Sequence, residues 1–181
     1  TLTLNLGQQH DDIEVIKNKA LKFGAGKAIA LDVREEFANE YIAKGIKANA
    51  SYQGDYHLST PIGRALLGKK AVEIAKQENC DAIAHGCTGK GNDKVRIDGY
   101  VLTHDPTMKI IAPVREWMMD RNEEIAYAEK HGIPVPATVD FPYSDDDNML
   151  GITWEGGEIT DPSLIAPVEK FLTTYTLPKD S

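Results

Sequence analysis

A short apolar segment, Ala82-Ile83-Ala84, opens at His85 into Gly86-Cys87-Thr88-Gly89-Lys90-Gly91-Asn92-Asp93 and runs on to Val95-Arg96. Three glycines interleaved with compact polar side chains constrain the chain here more than anywhere else. A buried strand that ends in glycines lets the backbone approach a ligand closely, and the exposed N–H groups of such a loop can hold an anion. Thr88, Asn92 and Asp93 supply oriented polar contacts beside them. The run is not a Walker loop, which needs four residues between its first glycine and the Gly-Lys pair and then Ser or Thr. Here two residues separate Gly86 from Gly89-Lys90, and Gly91 follows the lysine. The order G-x-x-G-x-G also differs from the dinucleotide fingerprint G-x-G-x-x-G. A ligand-binding loop and a glycine-rich strand-to-helix turn both remain open on these residues alone.

The rest of the chain alternates strands with helices. Thr1 to Leu6 alternate in strand style. Asp11-Asp12 place negative charge at a helix start, Ile13, Ile16, Ala20 and Phe23 share one helical face, and Gly24 offers a stop. Ala28 to Leu31 reads as a short buried strand, and Val33, Phe37 and Tyr41 line a second helix from about Arg34. A polar loop from Ala48 to Ser59 precedes Thr60-Pro61, an N-cap and first-turn proline for a helix reaching about Glu78, with Ile62, Leu66, Val72 and Ala75 on its apolar side. Asp81 to Ala84 and Met108 to Ala112 are further strands, and Glu123 to His131 is a helix stopped by Gly132 before the apolar Ile133 to Val135. Such alternation predicts an α/β fold, an open and mainly parallel sheet with helices on both faces. Ligands in such sheets sit at the carboxyl ends of the strands, where the 85–96 loop belongs.

A chain of 181 residues, 41% hydrophobic and 27% charged, suits one domain or one plus the start of another. Periodicity fades from Glu158, giving a division into 1–157 and a linker or beginning domain over 158–181. With 20 basic and 28 acidic residues the formal charge is −8, so nucleic acid and anionic membrane surfaces are poor partners. Cys80 and Cys87 lack C-x-x-C spacing, which argues against a disulfide framework or a structural zinc site and for a reducing cytoplasm. No apolar run approaches a membrane span, and Thr1 to Leu6 do not read as a signal peptide.

His85 to Arg96 resembles the signature H-G-[AC]-T-G-K-G-N-D-x-V-R of the argininosuccinate synthases, and all twelve positions fit. The resemblance runs in register through Asn5 to Gln8, Tyr56 to Arg64, Ile111 to Pro113, Tyr127 to Pro136 and Tyr143 to Leu150, and weakens after Pro162. It implies an adenine nucleotide α-hydrolase-like fold of the N-type ATP pyrophosphatase kind. It also implies ligation of L-citrulline to L-aspartate, with ATP and Mg²⁺, through a citrullyl-adenylate, releasing AMP and pyrophosphate. That places the chain in arginine biosynthesis or the urea cycle, in the cytoplasm, as a homotetramer.

Carried over by position, Thr88, Asn92 and Asp93 would hold aspartate. Tyr56, Thr60, Arg64, Asn92, Arg96, Ser144 and Thr153 would hold citrulline, with Thr153 standing where relatives often carry serine. Gly86 matches a nucleotide contact, and Thr3 falls near the adenine. Pro61 departs from the pattern and has no backbone donor to offer. No catalytic side chain and no metal ligand is assigned.

Some residues read more simply. Asp145-Asp146-Asp147 is expected as a solvated helix start with Ser144 as its cap. His57, His85 and His104 lack partners at metal-ligand spacing, His10 and His131 read as loop and helix-end residues, and Trp117 and Trp154 as packing anchors.

The family's Ser-Gly-Gly-x-Asp-Thr-Ser pyrophosphate loop and its long C-terminal part are not found in this sequence. The expectation is a fragment that does not catalyse the ligation alone, with unpaired strand edges and an apolar gap where the family's first strand lies mid-sheet. The alternatives are a non-catalytic amino-acid-binding module and a related ATP-pyrophosphatase-type ligase acting on another acceptor. A purely structural protein gives no reason to cluster Thr88, Lys90, Asn92, Asp93 and Arg96 beside glycines.

Overall fold

The structure, a computed structural model, describes residues 1–9, 12–88, 91–119, 121–134, 143–165 and 167. His10, Asp11, Gly89, Lys90, Val135, Pro136 and most of the 158–181 tail, on which parts of the sequence reading rest, lie outside them.

Strand β1 (Leu2–Asn5) is followed by α1 (Ile13–Lys22) and β2 (Ile29–Asp32), which returns parallel to β1 with Thr3 opposite Ala30. Asp12 caps α1 by accepting from the N–H groups of Glu14 and Val15. Gly24 (φ 98) terminates it, with Ala25 N–H donating to Ala20 O. The predicted apolar face of α1 is only partly covered, and Phe23 remains 42% exposed. A two-stranded sheet is too narrow to bury it.

After β2 the chain runs through α2 (Arg34–Glu36), a π-helical turn (Phe37–Ile42) and α3 (Ala43–Lys47). Val33 and Phe37 are buried as expected, against Leu4, Leu6 and Leu66. Helix α4 (Ser59–Gln77) is the spine of the molecule. Its Leu66 belongs to this first core, while Val72 and Ala75 join Ile97, Val101 and Met108 in a second. Complete burial of Phe37, Leu66 and Val101 contributes roughly 1.5–3 kcal/mol each.

The start of α4 departs from the sequence reading. Leu58, in the left-handed region (φ 58), occupies the cap position, and Thr60 lies one residue inside the helix. The Tyr52–Tyr56 bridge turns the chain tightly just before, so the helix begins earlier than the Thr-Pro pair suggested.

Strand β3 (Ala82–Ala84) leads through the glycine loop into α5 (Asn92–His104), and β4 (Lys109–Ile111) returns parallel to β3. Helices α6 (Pro113–Trp117) and α7 (Arg121–Lys130) follow, the latter closed by Gly132 (φ 64). Trp117 is not a buried anchor. It is 55% exposed and stacks on Tyr127 at 5.7 Å between ring centres.

The expected helix start at Asp145-Asp146-Asp147 is instead β5 (Tyr143–Asn148), the first arm of an antiparallel hairpin with β6 (Gly151–Gly156). Pairing with Ile152, Thr153 and Trp154, which favour extended backbone, overrides the poor strand propensity of three aspartates.

Both parallel pairs obey the predicted class, but the sheet is interrupted. Among the described residues nothing pairs with the second edge of β1 or of β3. Between them lies a slot of ≈ 430 Å³, lined by Thr1 and Leu2, Ile29, Ala82 to Ala84, and Ala71, Ile74 and Ala75 of α4. Its lining is mostly apolar. Among the described residues no helix is long and apolar enough to cross a membrane.

Candidate functional site

The carboxyl end of β3 delivers Gly86, Cys87 and Thr88 to one wall of an open cavity of ≈ 470 Å³. The first two turns of α5 add Asn92, Asp93 and Arg96, and the start of α4 adds Thr60, with Tyr56 just before it. The hairpin supplies the opposite side through Asp146, Thr153 and Glu155. A Cβ built on Gly86 would meet nothing within 4 Å, so the backbone there borders open space.

Asp93 is gripped twice. Its Oδ2 accepts from Arg64 Nε at 2.7 Å and its Oδ1 from Arg96 Nη1 at 3.1 Å. Arg64 also donates from Nη2 to Asp146 Oδ1 at 2.5 Å, tying α4, α5 and the hairpin together. Burial works against the charge on Arg64, but Asp146 and Asp93 outweigh it and hold the guanidinium pKa above its ordinary value. Burial, reinforced by Asp93, pushes the Cys87 thiol up, so it is not a poised thiolate.

The hairpin is stitched to α4 at Ser59. The Ser59 and Thr153 hydroxyls lie 3.2 Å apart, and Asn148 Nδ2 donates to Ser59 O at 3.1 Å. Thr60 lines the cavity, and its buried Oγ1 has no hydrogen-bond partner among the described residues.

Most of the residues singled out in the sequence therefore converge. Tyr56, Thr60, Gly86, Thr88, Asn92, Asp93, Arg96 and Thr153 line one cavity. Arg64 stands behind it, facing a smaller cavity of ≈ 230 Å³ shared with Gln8 and Asp145 to Asn148. Thr3, inside β1, and Ser144, exposed at the start of β5, line neither. Asp146 and Glu155 were missed. No local pattern marks them, because the register that sets Asp146 opposite Thr153 and Ser144 opposite Glu155 is fixed by tertiary pairing. Among the described residues no group of three or more His, Cys, Asp or Glu is arranged to hold a metal.

A family model described as the arginosuccinate synthase N-terminal HUP domain matches residues 1–134. The chain belongs to the argininosuccinate synthase family. It is 48% identical over 174 residues to the argininosuccinate synthase of Geobacillus kaustophilus, covering 96% of this chain and 43% of that protein. Identity is also 48% to that of Pyrococcus furiosus over 179 residues, 99% of this chain and 43% of the relative. The argininosuccinate synthase of Nostoc punctiforme is 48% identical over 177 residues, 98% and 44% respectively. The chain thus spans less than half the length of these argininosuccinate synthases. The HUP match also fixes the fold class: two parallel strand pairs flanked by helices are the adenine nucleotide α-hydrolase-like arrangement.

Proposed function

We propose that this chain supplies the nucleotide-binding domain, with citrulline and aspartate contacts, of an ATP-dependent ligase that joins L-citrulline to L-aspartate through a citrullyl-adenylate. The observation that carries the reading is Asp93, held at the first turn of α5 by Arg64 and Arg96, with Thr88, Asn92 and Thr60 in the same cavity. An α-amino acid presents an ammonium and a carboxylate together. This cavity offers both complements, with carboxylates of Asp93, Asp146 and Glu155 and cations of Arg96 and Lys94.

In this reading Asp93 accepts from the aspartate ammonium, while Thr88 and Asn92 donate to the rest of that substrate. Arg64, Arg96, Asn92, Tyr56, Thr60 and Thr153 hold citrulline, and Ser144, outside both cavities, is a further citrulline contact. Gly86 and Thr3 approach the nucleotide. The ureido oxygen of citrulline attacks the α-phosphorus of ATP and pyrophosphate leaves. The aspartate amine then attacks the activated carbon, forming the C–N bond and expelling AMP. Holding two amino acids in line supplies a large part of the rate such steps need. ATP would enter with Mg²⁺ on its phosphates, and among the described residues no group of three or more His, Cys, Asp or Glu is arranged to hold the ion.

Residues 1–157 form the nucleotide-binding domain in this proposal and 158–181 begin the next. The slot between β1 and β3 receives the strand that carries the pyrophosphate loop, and the assembled protein works as a cytoplasmic homotetramer in arginine biosynthesis. Calorimetric titration of the 181-residue chain with aspartate and with citrulline tests the cavity. The chain alone is expected to bind without turnover. AMP formation by the purified chain only when citrulline, aspartate and ATP are all present would contradict the expected inactivity. A non-catalytic amino-acid-binding module is the second reading. Aspartate or citrulline binding with no ATP turnover by the natural full product would favour it.

A further inference from the structure

His85 does not line the cavity, yet its side chain is only 9% exposed and both ring nitrogens are engaged. Nδ1 accepts from the Cys87 backbone N–H at 3.2 Å. A peptide N–H can only donate, so Nδ1 carries the lone pair and the proton of the neutral ring sits on Nε2. Nε2 lies 2.8 Å from Asp98 Oδ1 and donates to it. The opposite tautomer would set two donors against each other at Cys87 and leave a lone pair facing a carboxylate.

Asp98 is itself a junction. Its Oδ2 faces Lys94 Nζ from the same helix and Arg115 Nη1 from α6, each at 3.5 Å. His85 N–H continues the β3–β4 ladder by donating to Ile111 O at 3.0 Å. One imidazole therefore fastens the end of a parallel strand to the flank of α5. Gly86, Cys87 and Thr88, which it encloses, are cavity wall. Glycine-containing backbone has little conformational preference of its own, so the direction of these peptides must come from such an anchor.

We propose that His85, as its Nε2–H tautomer between Cys87 N–H and Asp98, is a positioning residue that sets the Gly86–Thr88 backbone against the first turn of α5. Its consequence for ligand affinity rests on the amino-acid-binding reading above.

The experiment combines three measurements on the 181-residue chain at neutral pH. Long-range ¹⁵N–¹H spectra of the histidine rings report the tautomer. Amide exchange at Cys87 and Thr88 is followed in the parent and in His85→Phe, His85→Asn and Asp98→Asn, and aspartate is titrated into each. The expected tautomer is Nε2–H. His85→Phe is expected to speed exchange at both amides about tenfold or more and to weaken aspartate binding about five- to tenfold. In His85→Asn the side-chain oxygen can still accept from Cys87 N–H in an Asx-type turn, so Cys87 protection is expected to return without the tie to α5. Asp98→Asn retains a neutral acceptor for Nε2–H and is expected to fall between parent and His85→Phe.

An Nδ1–H tautomer, or unchanged exchange at Cys87 and Thr88 in His85→Phe, would overturn the proposal. If His85→Phe does not fold, the parent tautomer and the His85→Asn exchange pattern decide. If the parent binds no aspartate, the cavity's assignment fails while the tautomer and exchange data still judge His85.

Discussion

Arg64 and Asp93 stand 29 residues apart in sequence and meet through a 2.7 Å hydrogen bond, fastening the second turn of α4 to the first turn of α5. With Asp146 on its other nitrogen, Arg64 serves protein carboxylates on two sides. It was expected from the sequence among the citrulline contacts, and in this geometry it orders the residues that line the cavity. Arg64→Ala is expected to cost about 1–3 kcal/mol of stability, because it takes from the partly buried Asp146 its guanidinium partner and leaves Asp93 to Arg96 alone. Arg64→Lys should recover only part, since an ammonium cannot reproduce the two-armed geometry. Urea denaturation gives the stability, and an Arg64→Ala variant as stable as the parent would refute the clamp.

Helices α4 and α5 touch at Gly68. A Cβ there would lie 2.5 Å from Tyr100 Cβ and 3.3 Å from the Tyr100 carbonyl carbon. Backbone and Cβ cannot swing away as a side-chain tip can, so Gly68→Ala should force the helices apart at a cost of about 1–3 kcal/mol. Gly45 provides the control, because its nearest neighbour is the Ile62 Cδ1 at 3.1 Å, the end of a flexible chain. Gly45→Ala is expected to be tolerated far better in the same thermal melts.

Gly86→Ala asks the opposite question. Its methyl group enters open space, so the melting temperature should stay within a degree or two of the parent's, a change of only a few tenths of a kcal/mol. Ligand affinity should nevertheless fall, because the added methyl occupies the surface a ligand would approach. Paired melting and titration curves check this, and equal affinity would remove Gly86 from the site.

Acid should loosen the ties of α2 to β2 and to α4. Hydrogen bonds from Lys69 and Lys70 hold the Glu36 carboxyl below 4.5, and the Arg34 side chain brings Asp32 from 3.8 down to about 2. Depressed carboxylate values mean that the stabilisation is complete above the unfolded-state values and disappears as pH falls through the folded ones. Stability is therefore expected to decline from about pH 4.5 towards pH 2, with Glu36→Gln flattening the upper part of the curve. Denaturation curves at stepped pH test the sign.

What could be read in the chain beforehand was what local chemistry controls. Asp12 capping α1, Gly24 and Gly132 ending their helices, and the buried Val33 and Phe37 all follow from spacing and backbone preference. The glycine loop was legible as a strand-end loop, but the helix that Asn92 and Asp93 open was not read from the spacing. Contacts set by tertiary pairing were not. Nothing near Asp145 to Asp147 announces a strand, because its partner strand begins only at Gly151 and carries the extended-backbone residues. Asp146 meets Arg64 across 82 residues, a distance no local pattern spans. Leu58 displaced Thr60 from the cap because the preceding tight turn, and not the Thr-Pro pair, sets where α4 begins.

The slot between β1 and β3 also bears on how this polypeptide behaves in a tube. Among the described residues both ribbons have unpaired peptide edges over an apolar floor, and such edges are templates for any extended segment, including one from a neighbouring molecule. A charge of −8 keeps such molecules apart, and ionic screening shortens that repulsion to about 8 Å at physiological salt. Colloidal lifetime should therefore shrink as salt is added, with turbidity rising well below the unfolding temperature.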